Sequence, residues 1–176
     1  MKIETLDMET RNKWVTFLEG LNSDIDPKAI RLMGKMHGVA HALYQAGESN
    51  LASAGLSYAR FRLLLNLLIG EEMEGREELN PSEISVKQGI SRNTVSALIR
   101  DLENDGLIER QLDNNDRRRF NIRLTPFGRD LVREHAGTHF HFVGNCFGDL
   151  TTDQQNSLGE LLELLATNIE RSTSCK

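Results

Sequence analysis

Three consecutive arginines, Arg117, Arg118 and Arg119, follow the turn-forming run Asp113-Asn114-Asn115-Asp116. Guanidinium groups on a hairpin tip suit phosphate oxygens and the negative potential of a narrow minor groove. Upstream, Ser91, Arg92, Asn93, Thr94, Ser96 and Arg100 fall within ten residues. Short polar side chains followed by a cation can read base edges and touch phosphates. Two histidine pairs, His37/His41 and His135/His139, stand at i, i+4. That spacing places two imidazoles on one helix face, as a zinc site needs. Cys146, close to Phe142 and Phe147, reads as a small buried hydrophobe.

The elements that must position these residues are legible around them. Ser91 can cap a helix whose Val95, Leu98, Ile99 and Leu102 form one apolar stripe, with Gly106 following its last turn. The opposite face then carries Arg92, Asn93, Ser96 and Arg100. Asn80-Pro81-Ser82-Glu83 holds a capping residue, a first-turn proline and a capping-box glutamate. The helix it starts ends near Gly89, so two short helices meet in a tight turn, a helix-turn-helix. Leu107–Leu112 and Arg119–Leu124 read as the strands of a hairpin, the second alternating with Phe120, Ile122 and Leu124 inward. Helix for a major groove, hairpin for a minor groove: the pair reads as a winged helix-turn-helix.

Two further prolines repeat the pattern of a cap residue followed by a first-turn proline, Asp26-Pro27 and Thr125-Pro126. They predict a long helix from Pro27 to about Glu48 and another over Pro126–Phe147. The first is apolar nearly all round, with Ile30, Met33, His37, Ala40 and Tyr44 beside Leu32, Met36, Val39 and Leu43. Such a helix needs burial on several sides, which points to a subunit interface. Met8–Leu21 reads as a short amphipathic helix, Asn50–Gly55 as a small-residue linker, Ser57–Ile69 as a helix, and Gly70–Glu78 as a surface connection ending in a one-bridge strand at Leu79. Thr151-Thr152-Asp153-Gln154 offers a capping box for a last helix to about Arg171, whose Leu158, Leu161, Leu162, Leu165 and Ile169 form a dimerisation stripe.

These residues together resemble the MarR family of transcriptional regulators, closely over residues 56–133 and more loosely over 27–55 and 134–171. The resemblance is carried by Leu56-Ser57 with Leu63-Leu64, by Gly106-Leu107-Ile108-Glu109-Arg110, by Asp116-Arg117-Arg118, and by Leu124-Thr125-Pro126-Phe127-Gly128. It implies a homodimer and an order of two helices, a short strand, two helices, two strands and two helices. It also implies that Asp116 braces Arg118 for the minor groove, and that a ligand cleft separates the dimerisation and DNA-binding parts. Candidates for that cleft are Met36, His37, His41, Tyr44, Arg62 and Leu65, with Arg62 as counter-charge to a small aromatic or anionic effector. Some such regulators sense zinc through histidines on the fifth helix. Here Phe61 and Arg62 stand where acidic and histidine ligands would be expected, so His135 and His139 are an alternative and no metal or other cofactor is the primary expectation.

The expected architecture is therefore one domain over residues 1–176, mainly α with a small β-wing. Residues 56–133 form the winged helix-turn-helix, and 1–55 and 134–171 supply dimerisation helices. The expected function is a ligand-responsive repressor, a homodimer on a pseudo-palindromic double-stranded operator. A protein-interaction module without DNA binding is a further alternative. No phosphate-binding glycine loop, serine-nucleophile motif or carboxylate pair away from helix surfaces occurs, so neither catalytic residues nor enzymatic activity are expected. The net charge of −5 is spread unevenly, with ten basic and eight acidic residues in 81–133, so that segment is +2 against −7 elsewhere. No apolar run approaches the ~20 residues of a membrane helix, the N-terminal MKIETLDMETRNKW lacks a hydrophobic signal segment, and two cysteines make no disulfide framework. A cytoplasmic protein without membrane contact is the expectation.

Overall fold

The computed structural model describes residues 26–112 and 119–174, with Lys13, Thr16, Phe17 and Gly20 before them; those four are helical. The remainder of the expected helix Met8–Leu21 lies outside the described residues. The chain divides into two compact units, Met1–Tyr58 and Ala59–Lys176.

In the first unit, α1 spans Pro27–Leu51 and passes through a short 3-10 turn at Ala52–Ala54. The Asp26 carboxylate caps it, accepting from the Lys28 backbone N–H at 2.8 Å. A glycine near its C-terminal end is required by packing, since the Tyr58 ring lies where a Cβ on Gly47 would sit, 2.9 Å away. Tyr44 meets that ring edge-on with centroids 5.4 Å apart. Leu32, Met33, Met36 and Val39 of α1 are exposed by 62%, 54%, 40% and 60%.

The second unit holds α2 (Tyr58–Glu74) from Ala59 onward, α3 (Pro81–Gln88), α4 (Arg92–Asn104), β1 (Ile108–Leu112), β2 (Phe120–Leu124), α5 (Pro126–Phe147) and α6 (Thr152–Ser174). Its core is Phe61, Leu63, Leu64 and Leu67 of α2, Ile84 of α3, Val95, Ile99 and Leu102 of α4, and Ile108, Ile122 and Val132 from the wing and α5, all nearly fully buried. Burying a side chain of this size contributes about 1.5–3 kcal/mol, so these few residues dominate the unit's stability. The capping boxes form as read. Asn80 accepts from the Ser82 and Glu83 N–H groups while Glu83 accepts from the Asn80 N–H, and Thr151 and Gln154 exchange the same two bonds.

The end of α2 differs from the expectation. The helix does not stop at Ile69 but continues to Glu74, and its terminator is Gly75 at φ +62°. Gly70 stays inside the helix. The chain after Gly75 folds back so that the Arg76 N–H donates to the Gly70 carbonyl at 2.9 Å, and the space a Gly70 side chain would need is taken by the Arg76 carbonyl oxygen 3.1 Å away. The last helix likewise runs on past Arg171 to Ser174. Leu158, Leu161, Leu162, Leu164 and Ile169 stand exposed on it by 37–63%.

Candidate nucleic-acid interface

One glycine and two serines set the turn between α3 and α4. Gly89 closes α3 at φ +67°, a conformation that costs other residues more. The Ser85 hydroxyl then donates to the Ile90 carbonyl at 2.6 Å, and the Ile90 N–H donates to the Ser85 carbonyl at 3.2 Å. Ser91 immediately caps α4, accepting from the Thr94 N–H at 3.1 Å. At the far end Gly106 adopts φ +69°, and the Leu107 N–H returns to the Leu102 carbonyl at 2.9 Å. Arg60 of α2 pairs with Asp105 just beyond the helix. Both ends of α4 are thereby fastened to neighbouring elements.

With Val95, Ile99 and Leu102 buried beneath it, α4 turns Ser91, Arg92, Asn93, Thr94, Ser96 and Arg100 outward, and all six are exposed. Their polar groups are not equally available. The Ser91 and Thr94 hydroxyls bond each other at 2.8 Å, and the Ser96 hydroxyl donates to the Arg92 carbonyl at 2.9 Å. Arg92 and Arg100 have no acidic partner among the described residues.

The wing strands pair antiparallel from Ile108 opposite Leu124 to Leu112 opposite Phe120, and Leu79 adds a single bridge to Ile122. That is the one-bridge strand expected from the sequence. Arginines at the base of the wing are committed within the protein. Arg110 reaches Glu103 at 2.8 Å and lies 4.8 Å over the Phe120 ring, and Arg123 reaches Glu109 at 2.6 Å. Arg119 is exposed at the start of the returning strand. Asp116, Arg117 and Arg118 lie outside the described residues.

α5 starts at the base of this wing. The Thr125 N–H donates to the Leu107 carbonyl at 3.2 Å, and its hydroxyl donates to the Gly106 carbonyl at 2.7 Å. Arg129 makes a two-point pair with Glu71 of α2, both bonds at 2.8 Å, and Arg133 pairs with Glu72. No sequence pattern announced these braces, because each joins residues far apart in the chain.

The residues proposed for effector or metal chemistry fall in both units. Met36, His37, His41 and Tyr44 are exposed on α1, and Arg62 and Leu65 are half-buried on α2. His135 is half-buried on α5, whereas His139 is buried, edge-on to Phe61 at 5.1 Å between ring centroids, with Phe140 and Phe142 at 5.6 and 6.3 Å. Among the described residues no three metal-ligating side chains converge. Cys146 is exposed rather than buried, because the C-terminal part of α5 presents an open face that also carries Phe140 and Phe147.

Burial pushes the His139 imidazolium below its ordinary range, and the Arg62 charge adds to the effect. The neutral ring is the folded form, so the unfolded chain takes up the proton first. The resulting stability is complete above the unfolded value, ~6.5, and is lost as pH falls through the folded one. His139→Phe should therefore flatten the acid limb of the stability profile, by at most ~1.4 kcal/mol per pH unit. Chemical denaturation of both proteins from pH 7.5 to 5 measures it; parallel profiles would contradict the assignment.

Helix-turn-helix, recognition helix and hairpin wing define a winged helix-turn-helix DNA-binding regulator. The sequence profile described as MarR family matches residues 54–119. The HTH-type transcriptional repressor YetL of Bacillus subtilis is 22% identical over 148 residues, covering 82% of this chain and 86% of that protein. The MepR–DNA complex of S. aureus shares the fold with a TM-score of 0.69 at 21% identity, covering 78% of this chain and 95% of that one. The organohalide-sensing regulator RdhR, solved with 2,4-dichlorophenol, does so with a TM-score of 0.69 at 20% identity and 83% coverage of each chain. In sequence profile, curated relatives and fold the chain is similar to the MarR family. Members of that family are transcriptional regulators and not enzymes. Among the described residues no helix is long and apolar enough to cross a membrane.

Proposed function

We propose that two copies of this chain form a cytoplasmic repressor that binds a pseudo-palindromic operator. Each α4 enters a major groove, and the half-sites lie about one turn, ~10 bp, apart. The observation that carries this reading is the outer face of α4, where Arg92, Asn93 and Arg100 are exposed and the two arginines lack acidic partners among the described residues. Arg92 and Asn93 read bases, helped by the capped turn of Ser91 and Thr94 and by the small Ser96. Arg100 and the wing residues Arg117, Arg118 and Arg119 meet phosphate or minor groove, with Asp116 bracing Arg118. Residues 56–133 serve as the reading head, and the apolar surfaces of 1–55 and 134–171 take the second copy. The repressor reading is supported by similarity to YetL, which is named a repressor.

The test uses a duplex selected from a random pool by the wild-type chain. Arg100→Ala should lower affinity and reduce the salt slope by about one unit, with base preference kept. Asn93→Ala should relax the preferred sequence, at about 1–3 kcal/mol for each lost base contact. Arg110→Ala and Arg123→Ala, whose guanidiniums are already paired within the protein, should stay near wild type. Equal salt slopes for wild type and Arg100→Ala, with an unchanged consensus for Asn93→Ala, would overturn the reading.

An effector, small and either aromatic or anionic, is proposed to meet Arg62 and Leu65 of α2, with Met36, His37, His41 and Tyr44 as further candidates. It would shift the population between dimer geometries that differ in the spacing of the α4 helices. A relative solved with a chlorinated phenol supports the chemical class. Arg62→Met should keep operator affinity and lose release by salicylate, used as the probe anion. Normal release from the Arg62→Met protein, or no salicylate-dependent release from the wild type, would count against it.

A further inference from the structure

Ala97 occupies a singular place on α4. An α-helix advances 100° per residue, so Asn93, Ala97 and Arg100, at i, i+4 and i+7, lie along one line. That line is opposite Val95, Ile99 and Leu102, which are buried, and all three of its members are exposed. Ala97 is thus on the midline of the reading face, between its amide and its guanidinium. The hydroxyls around it already bond within the helix, Ser96 donating to the Arg92 carbonyl and Ser91 and Thr94 sharing one bond. At Ala97 itself the middle of this face offers a base pair only a methyl group.

We propose that Ala97 is a specificity-determining residue that reads a thymine by methyl-to-methyl contact in each half-site. The inference rests on α4 being the DNA-reading helix. The thymine C5-methyl is the one apolar group on a base edge in the major groove, and alanine is a side chain that matches it. A methyl also keeps the α4 backbone close to the groove floor, so that Asn93, one turn earlier, reaches base edges. A longer side chain at position 97, midway between Asn93 and Arg100, would hold the helix away. The base contacts then divide into hydrogen bonds from Arg92 and Asn93 and one apolar contact from Ala97.

The experiment uses the full-length protein and the duplex it selects from a random pool. Each thymine is replaced in turn by uracil, which removes only the methyl group. At one thymine per half-site the wild type should lose about fourfold in affinity, the worth of one buried methyl group. Ala97→Gly should show no loss at that same position, while losses elsewhere persist. Ala97→Leu, better suited to a helix than glycine, should bind the selected duplex at least tenfold more weakly yet keep wild-type affinity for random duplex at low salt. Circular dichroism of both variants shows whether they fold. Two results would overturn the proposal: no uracil-sensitive position in the wild type, or a sensitive position that survives unchanged in Ala97→Gly together with unimpaired binding by Ala97→Leu. If no duplex is enriched at all, the DNA-reading assignment of α4 falls, and this proposal with it.

Discussion

Replacing Gly128 with alanine should destabilise the protein, although alanine is the better helix former. Gly128 sits in the first turn of α5, where its N–H donates to the Thr125 hydroxyl oxygen at 3.0 Å. A Cβ there would stand 1.9 Å from the Leu107 carbonyl oxygen and 2.8 Å from the Leu107 carbonyl carbon. Both neighbours are backbone and cannot swing aside. Relief requires α5 to move off Gly106-Leu107, which stretches the bonds from Thr125 to those two carbonyls. Helix propensity would favour alanine by ~1 kcal/mol. Overpacking opposes it by about 1–3 kcal/mol and sometimes more, and each weakened hydrogen bond costs ~1 kcal/mol. The steric and hydrogen-bond costs win, with a net loss of roughly 2–4 kcal/mol. In a chain of this size that lowers the melting temperature by about 5–15 °C. Gly137→Ala is the matched control, because it lies in the same helix with nothing within 4 Å of its Cβ position. It should be neutral or slightly stabilising. Thermal melts of the two variants beside wild type decide the matter; a Gly128→Ala protein as stable as wild type would refute the close-approach argument.

The same junction explains what could be read in advance and what could not. Helix starts were legible because their causes are local. Asp26-Pro27, Asn80-Pro81 and Thr125-Pro126 each place an acceptor and a preset φ within two residues, and all three begin helices in the structure. The wing pattern was legible because alternation in Phe120–Leu124 answers to one buried face, that of Ile122 and Leu124. Gly70 misled because glycine has two uses. It can end a helix through positive φ, as Gly75 does, or make room for another backbone, as Gly70 does for the Arg76 carbonyl. Only the fold distinguishes them. Gly128 belongs to the second kind as well, and its place in Leu124-Thr125-Pro126-Phe127-Gly128 gave no hint that Leu107 lay against it.

The reading face was half legible. Which residues of α4 point outward follows from the spacing of Val95, Ile99 and Leu102. Which of the outward groups remain available does not, because it depends on the internal bonds of Ser91, Thr94 and Ser96. The wing-base arginines show the same limit. Arg110 and Arg123 count among the ten basic residues of 81–133, yet Glu103 and Glu109 hold them. The net effect is a small cationic footprint on an acidic protein. Phosphate attraction is screened beyond about 8 Å at physiological salt, so those few placed arginines matter more than the overall charge of −5.

Introducing aspartate at both Leu161 and Leu162 of α6 should abolish operator binding without touching the reading head. The two side chains are 63% and 49% exposed in the single chain, and Leu158, Leu164 and Ile169 on the same helix are 37%, 59% and 54% exposed. Aspartate there removes no core contact within the described chain, so a lone chain would tolerate it. A second copy docked on this helix would not, since burying each leucine is worth about 1.5–3 kcal/mol and a carboxylate in its place must be desolvated. Losing the dimer makes the two half-sites independent. The advantage of binding both at once, about 10²–10⁴ in affinity for linked modules, then disappears. The double variant should therefore sediment as monomer or aggregate, and bind the selected palindromic duplex at least ~100-fold more weakly. Asn156→Asp on the opposite face of α6 adds one such negative charge and should change neither property. Sedimentation and mobility-shift titrations on the three proteins separate the cases: a double variant that remains a dimer with wild-type affinity would place the dimer contact elsewhere, and a wild type that sediments as a monomer while binding the palindrome normally would remove the dimer from the mechanism.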